Sequence, residues 1–159
     1  MTKDKQAAIS GVEKKAALIG EVADCIWDYA ELSLQEERSA AKYCAVLEAE
    51  GFTVERGICS IPTAFSASYG SGRPVIGLLA EYDALSGMSQ KAGSVEREET
   101  VPGGNGHGCG HNLLGAGAMA AALGVKAWLE QTGNPGTVIL YGCPGEEGGA
   151  AKAFMAREE

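Results

Sequence analysis

Two histidines and a cysteine fall within five positions at His107, Cys109 and His111, in a chain of 159 residues that has no other histidine. Such a set can bind a metal through thiolate and imidazole, run a thiol nucleophile with a histidine base, or be only a glycine-rich turn. The carboxylates that could join it are Glu81 and Asp83 in Glu81-Tyr82-Asp83, and the adjacent Glu146 and Glu147, bracketed by Pro144-Gly145 and Gly148-Gly149. Taken alone, Asp83 reads as a turn cap and a Glu-Glu pair as a solvated loop. Taken together, thiolate and imidazole are soft-to-borderline ligands and a glutamate adds a hard oxygen, a mixture that suits Zn²⁺, or Mn²⁺ if carboxylates dominate. Two adjacent glutamates then divide the labour. One coordinates; its neighbour takes a proton from water that the metal has acidified, from a pKa of about 15.7 toward roughly 7, and passes it to a leaving amine. The thiol alternative sets Cys109 against His107 or His111 as base, which places nucleophile and base awkwardly close in sequence and leaves the acids without a role.

The elements that must bring these residues together can be read from periodicity. Val12, Ala16, Ile19, Ala23, Ile26 and Ala30 keep the helical spacing. Ser33 and Glu36 form an S-x-x-E pair that predicts a second helix opened by a capping box and stopped at Gly51. Strand-like runs follow at Phe52–Glu55, Ala64–Tyr69 and Val75–Ala80, the last continuously apolar enough to be covered on both faces. Residues 86–108 have no period and six glycines, as a functional loop would. Asn112 is placed to cap a helix whose apolar face runs through Leu114, Ala118, Ala121, Val125 and Trp128. Gly115-Ala-Gly-Ala-Met-Ala120 matches a dinucleotide-binding pattern but lies inside that helix, so it reads as close packing together with Gly124. Thr137–Tyr141 is a second buried-type strand, and Ala150–Arg157 can begin a helix. The order predicts an α/β sandwich. Both buried-type strands end in acids, so if they are sheet neighbours, Glu81, Asp83, Cys109, His111, Glu146 and Glu147 converge on one edge.

Composition narrows the classes. Hydrophobic residues at 45% and charged residues at 21% describe a globular domain. A formal net charge of −8 argues against nucleic acid and anionic membrane surfaces as partners. The polar N-terminus leads into no signal-like run, and no stretch reads as about 18 apolar residues of a membrane span. Five scattered cysteines fit reduced thiols and a cytoplasmic location better than a disulfide framework.

The stretches GHGCGHNLLG, LLAEYDALSGMSQ and YGCPGEEGG resemble metallopeptidase family 20, the aminoacylase and carboxypeptidase group of amidohydrolases. ADCIWDYAELSLQEERSA and GFTVERGICSIPTAF extend the similarity over almost the whole chain. The resemblance implies a three-layer, zinc-peptidase-like catalytic domain with Cys109, His111 and Glu147 as metal ligands, Glu146 as general base and Asp83 as the residue that orients the site. Glu81 stands where many members have a histidine, and His107 matches a histidine of the amidohydrolase branch, which makes both substrate or outer-shell candidates. The activity implied is cleavage of the amide between an N-acyl or aminobenzoyl group and an amino acid such as glutamate, with two divalent ions in the intact enzyme. Members run to well over twice this length and carry a dimerisation domain. Residues 1–159 are therefore expected to be the N-terminal portion of the catalytic domain, without the dimerisation domain and C-terminal half, from a homodimer or a hetero-oligomer with a paralogous subunit. Cys109, His111, Glu147 and one of Glu81 or Asp83 fill about one tetrahedral site. The chain alone is accordingly expected to bind metal weakly and turn nothing over. The opposing class is a non-enzymatic, truncated metal-binding or subunit-pairing module.

Overall fold

The computed structural model describes residues 2–158. The first apolar period is carried by two helices, α1 (Lys3–Lys14) and α2 (Ala16–Tyr29). Lys15 leaves helical geometry, and its N–H turns back onto the Val12 carbonyl at 2.9 Å, so the spacing continues across a break. α3 (Glu37–Ala49) begins one turn later than a cap at Ser33 would start it, with Glu36 itself at the cap position, and the capping box does not form. Glu31 replaces it: its carboxylate accepts the Arg38 N–H at 3.0 Å, the Ser39 N–H at 2.9 Å and the Ser39 hydroxyl at 2.7 Å. An anionic acceptor there satisfies free donors of the first turn and complements the helix dipole. Ser33 and Glu36 are left for other partners.

The sheet has the order β1-β2-β4-β3, built from β1 (Thr53–Arg56), β2 (Phe65–Ser71), β3 (Val75–Ala80) and β4 (Gly136–Gly142). β1 and β2 pair antiparallel, as do β2 and β4; β3 and β4 are parallel neighbours, in register from Val75↔Thr137 to Ala80↔Gly142. A parallel pair needs a crossover. Here it is the 86–110 loop followed by α4 (His111–Thr132). The loop carries no helix or strand; Leu85 and Gly106 tie its ends by reciprocal backbone bonds of 2.9 and 3.0 Å. The helix starts one residue earlier than its expected cap, after Gly110 in the left-handed region, and Asn112 lies buried within it, its amide donating to the Ala23 carbonyl at 3.4 Å. α5 (Ala151–Glu158) follows β4.

The core joins α2, α3, α4 and one face of the sheet through Val22, Ile26, Tyr43, Leu47, Phe65, Tyr82, Met119, Leu123 and Leu140. Burial of these apolar side chains is the main favourable contribution to folding. A Cβ on Gly115 would collide with the Glu81 carbonyl and the Tyr43 hydroxyl, so glycine there lets α4 approach the end of β3. Gly124 is packed closely against the Val12 methyl of α1, where a Cβ would sit tightly at 3.0 Å, whereas Gly117 faces open space and has no packing role. β3 departs from expectation. It lies at the sheet edge among the described residues, and Val75, Ile76 and Leu79 are about half exposed: Ile76 is open on the side where the edge strand lacks a neighbour, while Val75 and Leu79 point to the sheet face opposite the core that Leu78 and Ala80 enter. By length and composition α4 could cross a membrane, but Met119, Ala122 and Leu123 are buried in the core.

Candidate metal centre

Ala80 and Gly142 are register partners at the ends of β3 and β4, so Glu81 and Cys143 leave the sheet side by side. This is the carboxyl edge of a parallel pair, the usual place for a site in an α/β sheet. α4 starts at the same edge and sets His111 between the two acidic segments. His111 is buried; its Nδ1 lies 3.0 Å from Asp83 Oδ1 and 3.1 Å from the Asp83 carbonyl. Its Nε2 lies 3.1 Å from Glu81 Oε2, 3.8 Å from Glu146 Oε2 and 3.9 Å from Glu147 Oε1. The Asp83 carboxylate and carbonyl only accept, so Nδ1 carries a ring proton; Nε2 also faces acceptors, so a proton or a bound cation must lie between it and the acids, and a cation there makes Nε2 the ligating nitrogen. That is how an imidazole is prepared to ligate a metal.

Asp83 is fully buried and uses both oxygens. Oδ1 faces His111, while Oδ2 accepts the Ser33 hydroxyl at 2.8 Å and the Glu147 N–H at 2.9 Å. It therefore couples the histidine to the backbone of the acid pair. Glu81 is partly neutralised by the Lys152 ammonium, which contacts its Oε1. Burial alone would lower the Lys152 ammonium, but this contact outweighs it and holds it above its usual value. Hydrogen bonding to Glu147, with the burial cost and the surrounding carboxylates adding to it, pushes the Cys109 thiol above its ordinary value.

Two sets of ligand atoms each lie within 4.8 Å of one another: Cys109, His111 and Glu147, and Glu81, His111 and Glu146. The first fits a divalent cation. Thiolate, imidazole and carboxylate are a zinc or manganese donor mixture, three protein ligands leave a fourth position open, and a cation would relieve crowded negative charge. The second set shares the same imidazole, so the two do not make independent shells. A thiol nucleophile fits poorly, since the acids favour the neutral thiol and activation needs the opposite.

His107 stands outside both sets. Its Nε2 is 2.8 Å from the Ile26 carbonyl, its buried Nδ1 has no partner, and burial holds it below the usual histidine value. Cys143 lies beneath the site, its thiol pushed up to about 11 by burial. Sequence reasoning missed Lys152 and assigned Ser33 to a helix cap. The serine's place in an S-x-x-E pair was a visible signal, but it pointed to the wrong partner.

Residues 77–159 match the profile of peptidase family M20/M25/M40. The chain is 58% identical over 138 residues to a p-aminobenzoyl-glutamate hydrolase subunit of Escherichia coli, covering 87% of this chain and 29% of that protein. It is 30% identical over 160 residues to the Xaa-Arg dipeptidase of Mus musculus, covering 93% of this chain and 33% of the relative. Among solved structures it is similar to a candidate aminohydrolase from methicillin-resistant Staphylococcus aureus (TM-score 0.72, 25% identical, 96% of this chain and 38% of that one). It is also similar to a dinuclear metal-binding M20 peptidase from Bacillus subtilis (TM-score 0.60, 26% identical, 83% of this chain and 36% of that one). The chain thus spans about a third of the length of the curated relatives it matches.

Proposed function

The chain belongs to peptidase family M20/M25/M40, and on that premise we propose that it supplies the metal-binding edge of an amidohydrolase that cleaves the amide of an N-acyl amino acid such as p-aminobenzoyl-glutamate. The carrying observation is His111, held by Asp83 on one nitrogen and facing Glu81, Glu146 and Glu147 with the other. The names of the relatives support the substrate class: one is a p-aminobenzoyl-glutamate hydrolase subunit and another a dipeptidase. The first of these names also supports assembly with a further subunit, and the five scattered cysteines, unpaired among the described residues, are compatible with a cytoplasmic setting.

Cys109, His111 and Glu147 hold a divalent cation, zinc or manganese. A cation there supplies Lewis-acid polarisation of the amide carbonyl and acidifies water. Glu146, the more exposed carboxylate of the pair, accepts the proton of the attacking water and delivers it to the departing amine. Asp83 keeps the His111 ring oriented and holds Glu147 through its N–H. Lys152 binds Glu81 and limits the negative charge at the mouth of the site. Because both donor sets depend on His111, this chain fills one coordination shell and takes one ion.

The test combines metal titration with an assay for p-aminobenzoate release. Binding of one Co²⁺ per chain, with a thiolate-to-cobalt absorption that disappears in Cys109→Ser, supports the reading. Hydrolysis abolished by iodoacetamide but indifferent to a chelator would replace it with a thiol mechanism.

A further inference from the structure

The link between α2 and α3, residues 31–36, touches the segments that carry the acids of the site. The Ala84 N–H donates to the Glu31 carbonyl at 2.8 Å, and Leu32 forms a parallel bridge with Ala84, which fixes the chain after Asp83. The Ser33 hydroxyl donates to Asp83 Oδ2 at 2.8 Å. Leu34 adopts a left-handed backbone, φ 63°, and its side chain lies against the turn bearing the glutamates: a Cβ on Gly145 or on Gly149 would come within 2.9 Å of it. Glu36 is completely buried, and its Oε1 accepts the Gly145 N–H at 2.7 Å.

We propose that this link is a positioning clamp, in which Ser33 holds Asp83 and Glu36 holds the Gly145–Gly149 turn so that Glu146 and Glu147 meet His111 Nε2. The inference deepens the metal-centre reading and rests on it. Its physical basis is the freedom of the turn. Gly145, Gly148 and Gly149 surround the two glutamates, and a glycine-rich segment does not define its own geometry. Beyond one closing bond of its own, from the Gly149 N–H to the Gly145 carbonyl at 2.8 Å, the turn is held from outside, by a hydrogen bond to Gly145, a leucine seated on two glycines and a serine on the aspartate that binds the Glu147 N–H. The clamp has a cost. Burial pushes the Glu36 carboxyl above its ordinary value, although the backbone of Leu34 and Gly145 and the Thr63 hydroxyl beside it favour the charged form. A fully buried carboxyl is costly to desolvate and a poor device for stability, so its place is better explained by what it holds. The ordinary role for an S-x-x-E pair is already taken, since Glu31 caps α3.

Co²⁺ titration of the full chain tests the clamp, with Ser33→Ala and Glu36→Met as loss variants and Ser33→Thr and Glu36→Gln as conservative ones. Threonine keeps the hydroxyl and glutamine keeps an acceptor for Gly145. The loss variants are expected to bind Co²⁺ roughly 10–100-fold more weakly and to change its d–d spectrum, while the conservative variants recover both. Unchanged affinity and spectrum in both loss variants would overturn the clamp, as would a loss that threonine and glutamine fail to restore. If the unmodified chain binds no Co²⁺, the metal reading itself has failed. Amide exchange then decides separately: faster exchange of the Gly145 and Glu147 N–H groups in folded Ser33→Ala or Glu36→Met supports the clamp, and unchanged exchange refutes it.

Discussion

Asp83→Asn is the sharpest perturbation available, because it preserves shape and alters only what the two terminal atoms can do. Asp83 receives three donors: His111 Nδ1–H on Oδ1, and the Ser33 hydroxyl and Glu147 N–H on Oδ2. Asparagine has one oxygen and one amide nitrogen. If the oxygen stays on the His111 side, the amide nitrogen meets the Glu147 N–H, and two donors oppose each other beneath the acid pair. If the amide turns round, it faces His111 Nδ1 and forces the proton to Nε2, removing the lone pair a cation needs. Either orientation leaves a buried donor unsatisfied or a ligand in the wrong tautomer. An unsatisfied buried group costs about 1–3 kcal/mol, and each 1 kcal/mol lowers the melting temperature of a domain this size by about 2–4 °C. Loss of an outer carboxylate partner weakens metal binding roughly 10–100-fold. The expected result is therefore a melting temperature about 2–12 °C lower together with Co²⁺ affinity reduced by one to two orders of magnitude, read by circular dichroism and by absorption titration. Asp83→Asn binding Co²⁺ as tightly as the unmodified chain, at an unchanged melting temperature, would refute the tautomer argument.

Glu146→Gln is expected to leave Co²⁺ affinity within a few-fold while lowering p-aminobenzoate release by about 10²–10⁴ in any preparation that hydrolyses the substrate; equal losses of binding would make Glu146 a ligand instead. Gly115→Ala drives a methyl group into the Glu81 carbonyl and the Tyr43 hydroxyl, and should cost about 1–3 kcal/mol as overpacking, whereas Gly117→Ala, in open space, should stabilise by about 1 kcal/mol through helix propensity; chemical denaturation compares the two. Glu50 supplies a pH signature away from the site. Burial alone would raise its carboxyl, but the Lys15 and Lys126 ammoniums together outweigh that and hold it below its ordinary value. Its contribution, on the order of 1 kcal/mol, is present above the ordinary carboxyl pKa and lost as pH falls through the depressed folded value. Glu50→Gln should therefore lower stability at pH 7 and flatten this part of the acid limb, and identical pH profiles for the two proteins would contradict the assignment.

Much of the architecture was legible along the chain. The apolar run Val75–Ala80 coincides with β3, the acids after it and after β4 lie together at the edge that carries the candidate site, and the aperiodic 86–108 stretch is the loop before α4. These features survive because periodicity and apolar runs report local burial, and burial is what turns a short segment into a strand or helix. Partner choice was not legible. Nothing in Ser33-Leu-Gln-Glu36 distinguishes a capping box from a clamp, because a hydroxyl takes whichever acceptor comes within about 3 Å, and Asp83 and Gly145 are brought there by the sheet. The break at Lys15 was hidden for a related reason: the apolar spacing runs through it unchanged while α1 and α2 pack separately on α4. Lys152 on Glu81 joins residues 71 positions apart, and the exposure of β3 depends on what lies beside it and on each face of it. Residue types and their order determined which groups were available for chemistry. Tertiary structure alone decided which of them meet, since a hydrogen bond or ligand shell is defined over a few ångströms of space and is indifferent to distance along the backbone.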